Sequence, residues 1–277
     1  IFVNMKLHTS KKWYLHLLYY KLLKLSRFFT NNFFGLKNHK FLFILSPPFC
    51  GSTLLNQLLS TSKNLSCNNH LGVREGQLLP EVKDIMFYNK GWHEKVNYPW
   101  VKIKQIWMKY WDQRKTILLD KTTTNIMRVS EIKETFNNSV FIAMVRNPYA
   151  QVEGLIRRTG ATVEYAAKFS LMCLQHQRDN KINNPDILFF TYEDFCNDTL
   201  IITKKIQDVI PEIGILKVNA KFSAHNFKNN SKMKIQNLNS EKIAKLDDSQ
   251  LKEINEYFNK ELDLLDYFGY SILQHKY

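Results

Sequence analysis

Four short apolar runs, each leading through a turn into a segment of helical periodicity, constrain this chain's architecture more than any other feature. The runs are residues 40–46 (KFLFILS), 116–120 (TILLD), 139–145 (SVFIAMV) and 186–191 (DILFFT). Their length and their β-branched and aromatic content fit strands buried on both faces. Pro47-Pro48 stops the first, because proline cannot extend a β-ladder. Apolar residues at helical spacing follow over 54–62, 125–136, 148–158 and 199–209. Alternation of this kind predicts a parallel sheet with helices on both faces. In such sheets ligands sit beyond the carboxyl ends of the strands. The chemistry is therefore expected at residues 47–53, 120–122, 146–148 and 192–193. Residues 215–245 are polar and rich in Asn and Lys, and they read as a long loop; a helix is expected near 249–262.

With 277 residues the chain is long enough for one large buried core. Its 39 Lys+Arg against 25 Asp+Glu give a net charge of +14. That excess favours anionic partners without choosing among nucleotide, glycan, nucleic acid and membrane. No basic stripe interleaved with aromatics appears outside the N-terminal segment, so nucleic acid is not the expected partner. Cys50, Cys67, Cys173 and Cys196 form no CxxC pair, and the eight histidines show no HxxxH or HExxH spacing. Neither a metal nor a disulfide framework is expected.

No apolar stretch reaches the roughly 18 residues that span a bilayer. Residues 13–25 read as a basic amphipathic helix, which either docks on the domain's own surface or makes a peripheral contact with a membrane or partner. Residues 1–36 are thus expected as a basic amphipathic segment and 37–277 as the domain proper. A cytoplasmic location is the default expectation.

Two places carry the chemistry. In SPPFCGSTLL (46–55) a strand enters a tight glycine turn and then a helix, which points backbone N–H groups and the positive helix end at one spot. Ser52 and Thr53 add hydroxyls. The Lys of a Walker loop is missing, which argues against an ordinary ATP- or GTP-hydrolysing site. Arg146 ends the third apolar run, where its planar fork suits a phosphate, and Arg157 and Arg158 follow on the next helix.

Taken together and in order, these motifs resemble the sulfotransferase family that uses 3′-phosphoadenosine 5′-phosphosulfate (PAPS) as donor. The resemblance implies a P-loop-like three-layer α/β fold with a central parallel sheet flanked by helices. It implies that Pro48, Phe49, Cys50, Gly51, Ser52 and Thr53 cradle the 5′-phosphosulfate, and that Arg146, in Arg146-Asn147-Pro148, holds the 3′-phosphate. Asp120-Lys121-Thr122, Tyr192-Glu193-Asp194 and Phe268-Gly269-Tyr270 stand where the family has related motifs, and Tyr192 joins the donor-binding set. Ser231 matches a late donor-contacting Ser of the tyrosylprotein branch.

The departures from the pattern are informative. The loop's usual Lys or Arg is Phe49, and the residue after it is Cys50. The Ser expected eight positions after Arg146 is Gly154, while Arg158, twelve after, matches an Arg of the tyrosylprotein branch. The His base of cytosolic members is replaced by Thr123, which places the chain nearer the carbohydrate and tyrosylprotein branches, where a Glu serves. Glu75 is the expected base, His70 the reserve, and Lys121 the group that stabilises the bridging oxygen. The implied reaction is in-line transfer of a sulfuryl group from PAPS, without a metal, to a hydroxyl or amine. The acceptor (carbohydrate, lipid or protein hydroxyl) is not readable. Phe49 and Gly154 also motivate an alternative, a sulfotransferase-like binding protein that has lost catalysis. Trp92, Trp100, Trp107 and Trp111 fit either a sugar-stacking surface or the core.

Overall fold

A computed structural model describes residues 11–87, 91–223 and 232–274. Helix α1 (Lys11–Phe34) leads to β1 (Lys40–Leu45), and the glycine turn opens into α2 (Ser52–Leu59). A three-residue strand, β2 (Leu65–Cys67), precedes α3 (Pro80–Met86) and α4 (Trp100–Met108). Then come β3 (Ile117–Asp120), α5 (Val129–Thr135), β4 (Ser139–Val145), α6 (Pro148–Thr159) and the long α7 (Val163–Asn183). β5 (Leu188–Thr191), α8 (Tyr192–Asn197) and α9 (Thr199–Val209) complete the sheet region. A small hairpin, β6 (Phe222–Ser223) and β7 (Lys232–Met233), then α10 (Asn239–Ile243), α11 (Asp248–Phe258) and α12 (Leu262–Tyr267) finish the described chain.

The sheet runs β2-β3-β1-β4-β5 and every pairing in it is parallel. The four expected strands are all present, and β2 is added at one edge. Strand period two divides β1 between two cores. Phe41, Phe43 and Leu45 face α3–α7 and the C-terminal helices, whereas Leu42 and Ile44 face α2, α8 and α9. Helices thus cover both faces, giving the α/β three-layer arrangement. The chain leaves β1 toward β2 and β3 on one side and returns to β4 on the other. The carboxyl end of β1 is therefore the topological switch point, where neighbouring loops diverge and leave a crevice.

Several details differ from the sequence expectation. The stretch 125–136 is a short 3-10 turn (Thr123–Met127) followed by α5. Residues 215–245 hold the hairpin and α10 in place of a featureless loop. The N-terminal helix extends to Phe34 rather than ending near residue 25. Among the tryptophans after the N-terminal helix, Trp100, Trp107 and Trp111 are core residues, and Trp92 packs partly buried against the same core. All four cysteines are buried and unpaired.

Candidate active site

Gly51 adopts φ +89°, and a Cβ there would lie 2.6 Å from the Tyr192 ring. Only glycine makes this turn against Tyr192. The turn places the first residues of α2, Ser52 and Thr53, at the bottom of a cleft of about 260 Å³ beyond the carboxyl ends of β1, β3 and β4. As the first residues of the helix their N–H groups have no intrahelical acceptor, and Gly51 supplies no side-chain cap. They are free to meet an anion.

One wall of the cleft is cationic. Arg146 leaves the end of β4 and is 7% exposed. Its Nε donates to Asn239 Oδ1 at 2.7 Å, and Nη1 donates to the Phe49 carbonyl at 2.9 Å. Its guanidinium lies 4.1 Å from the centre of the Tyr192 ring. Nη2 is buried and has no partner among the described residues. An unpaired buried N–H on a cleft-lining guanidinium is a donor that a bound anion can satisfy, since unpaired buried donors are costly. Arg157 pairs with Glu153, both lining the cleft, while Arg158 lines the same wall from an exposed position. Lys242, from α10, completes the wall at 6% exposure, with no ion pair among the described residues. Burial, then the nearby Arg157, lowers its ammonium below the ordinary lysine range.

The other wall carries an acid–base pair. Lys121, just past β3 and 2% exposed, donates to Glu75 Oε1 at 3.0 Å and to Thr53 Oγ1 at 3.4 Å. Gln77 Nε2 donates to the second Glu75 oxygen. This side is fixed from beneath by Asp120. Its carboxylate accepts from Asn68 Nδ2, the Gly76 and Thr122 amides, the Thr122 hydroxyl and Asn125 Nδ2. Burial raises the Asp120 carboxyl against those hydrogen bonds. A Cβ at Gly76 would fall 2.1 Å from Asp120 Oδ1, so the loop carrying Glu75 must be glycine at that point.

The sequence-expected residues divide as follows. Pro48, Phe49, Gly51, Ser52, Thr53, Glu75, Lys121, Arg146, Gly154, Arg158 and Tyr192 line the one cleft. The Cys50 side chain does not; it is buried, with burial raising its thiol. Only the backbone of Cys50 remains available to the turn. His70 stays out as well, exposed on its loop with Nδ1 beside Arg74 at 3.3 Å. Ser231 lies outside the described residues. The weaker motifs converge around Glu193, which accepts from the Asn147 amide at 2.9 Å and the Tyr270 hydroxyl at 3.1 Å and also from Asn239. Glu153, Lys234 and Lys242 are charged cleft-lining residues that sequence reasoning missed. Among the described residues no group of His, Cys, Asp and Glu is placed to hold a metal ion.

The fold is a parallel α/β sheet with a cation-rich cleft at its switch point, and a carboxylate–ammonium pair lines the same cleft. Residues 42–210, more than half of the chain, match the pattern of the Sulfotransferase family, and the chain belongs to that family. No curated protein matches it in sequence. Among solved structures its fold is similar to the sulfotransferase domain from the curacin biosynthetic pathway, at 16% identity and a TM-score of 0.50 over 86% of this chain and 100% of that one. It is likewise similar to the sulfotransferase domain of the Synechococcus PCC 7002 olefin synthase, at 19% identity and a TM-score of 0.50 over 86% and 98%. A mouse sulfotransferase complexed with PAP aligns at 16% identity and a TM-score of 0.50, covering 85% of this chain and 88% of that one. At these identities the likeness is one of fold.

Proposed function

We propose that the chain transfers a sulfuryl group from PAPS to a hydroxyl or amine acceptor, with a Glu base of the kind used by the carbohydrate and tyrosylprotein branches. The observation that carries this reading is that the Glu75–Lys121 pair lines the same cleft as Arg146, whose buried Nη2 has no hydrogen-bond partner among the described residues. The donor supplies an activated sulfuryl group: the S–O bond of its P–O–S bridge breaks as the acceptor oxygen or nitrogen bonds to sulfur, and the bridging oxygen leaves with its electron pair on the 5′-phosphate of 3′-phosphoadenosine 5′-phosphate. The Ser52 and Thr53 amides and the Ser52 hydroxyl suit the 5′ end of the donor, while the Thr53 hydroxyl donates to the Val73 carbonyl. Arg146, Arg158 and Lys242 suit the 3′-phosphate. The donor set is cationic and hydrogen-bond rich, so the residues present fit it.

Glu75 takes the acceptor's proton, and Lys121 places positive charge beside the departing oxygen. In the free chain these two are paired. Donor and acceptor must therefore draw them apart, and the short reach from Lys121 to Thr53 gives the ammonium a route toward the phosphosulfate loop. Thr123 stands where cytosolic relatives place a histidine and lines the same wall without offering a base.

A second reading, binding without catalysis, is favoured by one contact: Phe49 packs directly on Gly154, where the pattern has a cation and a Ser. One experiment separates the two. Thermal unfolding is followed with 3′-phosphoadenosine 5′-phosphate (PAP), AMP and ADP, and transfer from PAPS is then measured for wild type and Glu75→Gln. PAP at a hundred times its dissociation constant should add about 2.7 kcal/mol, which is a rise of several degrees in a chain of this size. AMP and ADP should add far less. Turnover lost in Glu75→Gln with the PAP shift retained supports the transferase. A PAP shift with no transfer to any acceptor moves the reading to a nucleotide-binding protein without catalysis, and no PAP shift refutes the transferase and leaves the second reading in its glycan-binding form.

A further inference from the structure

α1 presents two unlike faces. The inner one is pinned to the domain by polar contacts. Arg27 pairs with Asp112 at 3.0 Å, and Lys24 pairs with Glu81. Asn31 Nδ2 donates to the Trp111 carbonyl, and its Oδ1 accepts from the Gln113 amide, both at 3.0 Å. The orientation of the helix about its own axis is thereby fixed. The outer face carries Leu15, Leu18, Leu22, Leu25, Phe29 and Phe33, which are 53–76% exposed. Their spacing of three and four residues sets them on one stripe. A surface helix ordinarily turns its apolar residues to the core; α1 does so with Tyr19, Tyr20 and Leu23, and this further stripe faces outward.

The charge on the helix indicates what covers it. Residues 11–37 contain six Lys or Arg and no Asp or Glu. With Lys24 and Arg27 paired inward, Lys21 and Lys37 remain exposed at the stripe and beyond its end. A second copy of the chain would set one cationic helix against another with no acid to pair them, which disfavours self-association. Anionic lipid headgroups supply the missing countercharge, and acyl chains take the leucines and phenylalanines. Among the described residues no helix is long and apolar enough to cross a membrane. We propose that α1 lies flat in the interface of an anionic bilayer, its Leu15–Phe33 stripe buried among acyl chains and its lysines at the headgroups. The proposal does not depend on sulfuryl transfer, and its test reads lipid binding alone.

The full chain is sedimented with vesicles of phosphatidylcholine, with and without phosphatidylserine. Binding should be at least about tenfold tighter with the anionic lipid and should weaken as salt rises. Leu22→Glu/Leu25→Glu should abolish sedimentation while leaving thermal unfolding unchanged, because both side chains point away from the domain. Three results overturn the proposal: no sedimentation with phosphatidylserine vesicles, equal binding to both vesicle types, or unchanged binding of the double variant. Light scattering on the free chain provides the other test of occupancy. A monomer is expected, and a dimer that Leu22→Glu/Leu25→Glu dissolves would assign the face to a second copy instead.

Discussion

At the scale of single residues, two of the departures from the family pattern, Phe49 and Gly154, prove to be one structural feature. A Cβ at Gly154 would come within 2.9 Å of Phe49 Cβ and 3.0 Å of Cγ. Phe49 is itself held at φ +65°, a left-handed conformation that a bulky residue adopts only when its surroundings impose it. The Arg146 Nη1 bond to the Phe49 carbonyl is part of that restraint. Restoring the expected Ser at 154 therefore collides with Phe49. Gly154→Ser should lower stability by about 1–3 kcal/mol, as overpacking does. In a Phe49→Gly background the colliding atoms are gone and the left-handed turn is unstrained, so the same Ser should cost less than half as much. Denaturant unfolding of the four chains in the cycle measures this coupling. Additive penalties would mean that the two positions changed independently. The sequence exposed both substitutions, because a motif names its missing members. Their mutual contact was not legible, since it joins positions about a hundred residues apart through the tertiary fold.

At the scale of elements, legibility followed apolar patterning. β1, β3, β4 and β5 stood out as unbroken apolar runs because parallel strands are buried on both faces. β2 reads only Leu-Ser-Cys, and no three-residue edge strand announces itself that way. α7 is the larger omission. It buries Ala166, Phe169, Ser170, Cys173, Leu174 and Gln177, mixing polar with apolar residues, because it packs among α6, α11, α12 and the sheet. Its buried Gln177 shows why polarity misleads there. The side-chain amide donates to the carbonyls of Leu45 at 2.8 Å and Met144 at 3.2 Å, at the ends of the two strands that part to form the cleft. Gln177→Leu keeps much of the volume but leaves those carbonyls unpaired in the core. The expected loss is about 1–3 kcal/mol, read as a melting point roughly 2–4 °C lower per kcal/mol. An unchanged melting point would show that the carbonyls find other donors. α1 and the site are also joined at this scale. Tyr20 donates to Asn69 Oδ1 at 3.0 Å, and Asn69 Nδ2 donates to the Glu75 carbonyl at 2.8 Å, so the helix and the proposed base share one support.

At the scale of the whole molecule, the net charge of +14 mixes two kinds of cation that act differently on an anionic donor. Exposed lysines far from the cleft are screened beyond about 8 Å at physiological salt, so they influence encounter more than the bound state. Lys242 is the opposite case: buried, without an ion pair among the described residues, and held below its ordinary pKa by burial and by Arg157. A phosphate beside it would relieve that situation directly, and a charge-assisted hydrogen bond in such a place is worth about 1.5–3 kcal/mol. Composition could not separate the two kinds, and α10 follows a polar stretch with no apolar pattern to place it. Kinetics of PAP binding can separate them. In wild type, rising salt should slow association markedly and change dissociation little. Lys242→Met should raise the dissociation rate by about 10–100-fold, which is that same free energy, while the salt dependence of association stays close to wild type. The methionine preserves the aliphatic stem, so thermal unfolding without ligand should not fall; with a desolvated cation removed it should hold or rise. If Lys242→Met instead flattened the salt dependence of association and left dissociation unchanged, Lys242 would belong to the diffuse surface charge, and the cationic lining would reduce to Arg146, Arg157, Arg158 and Lys234.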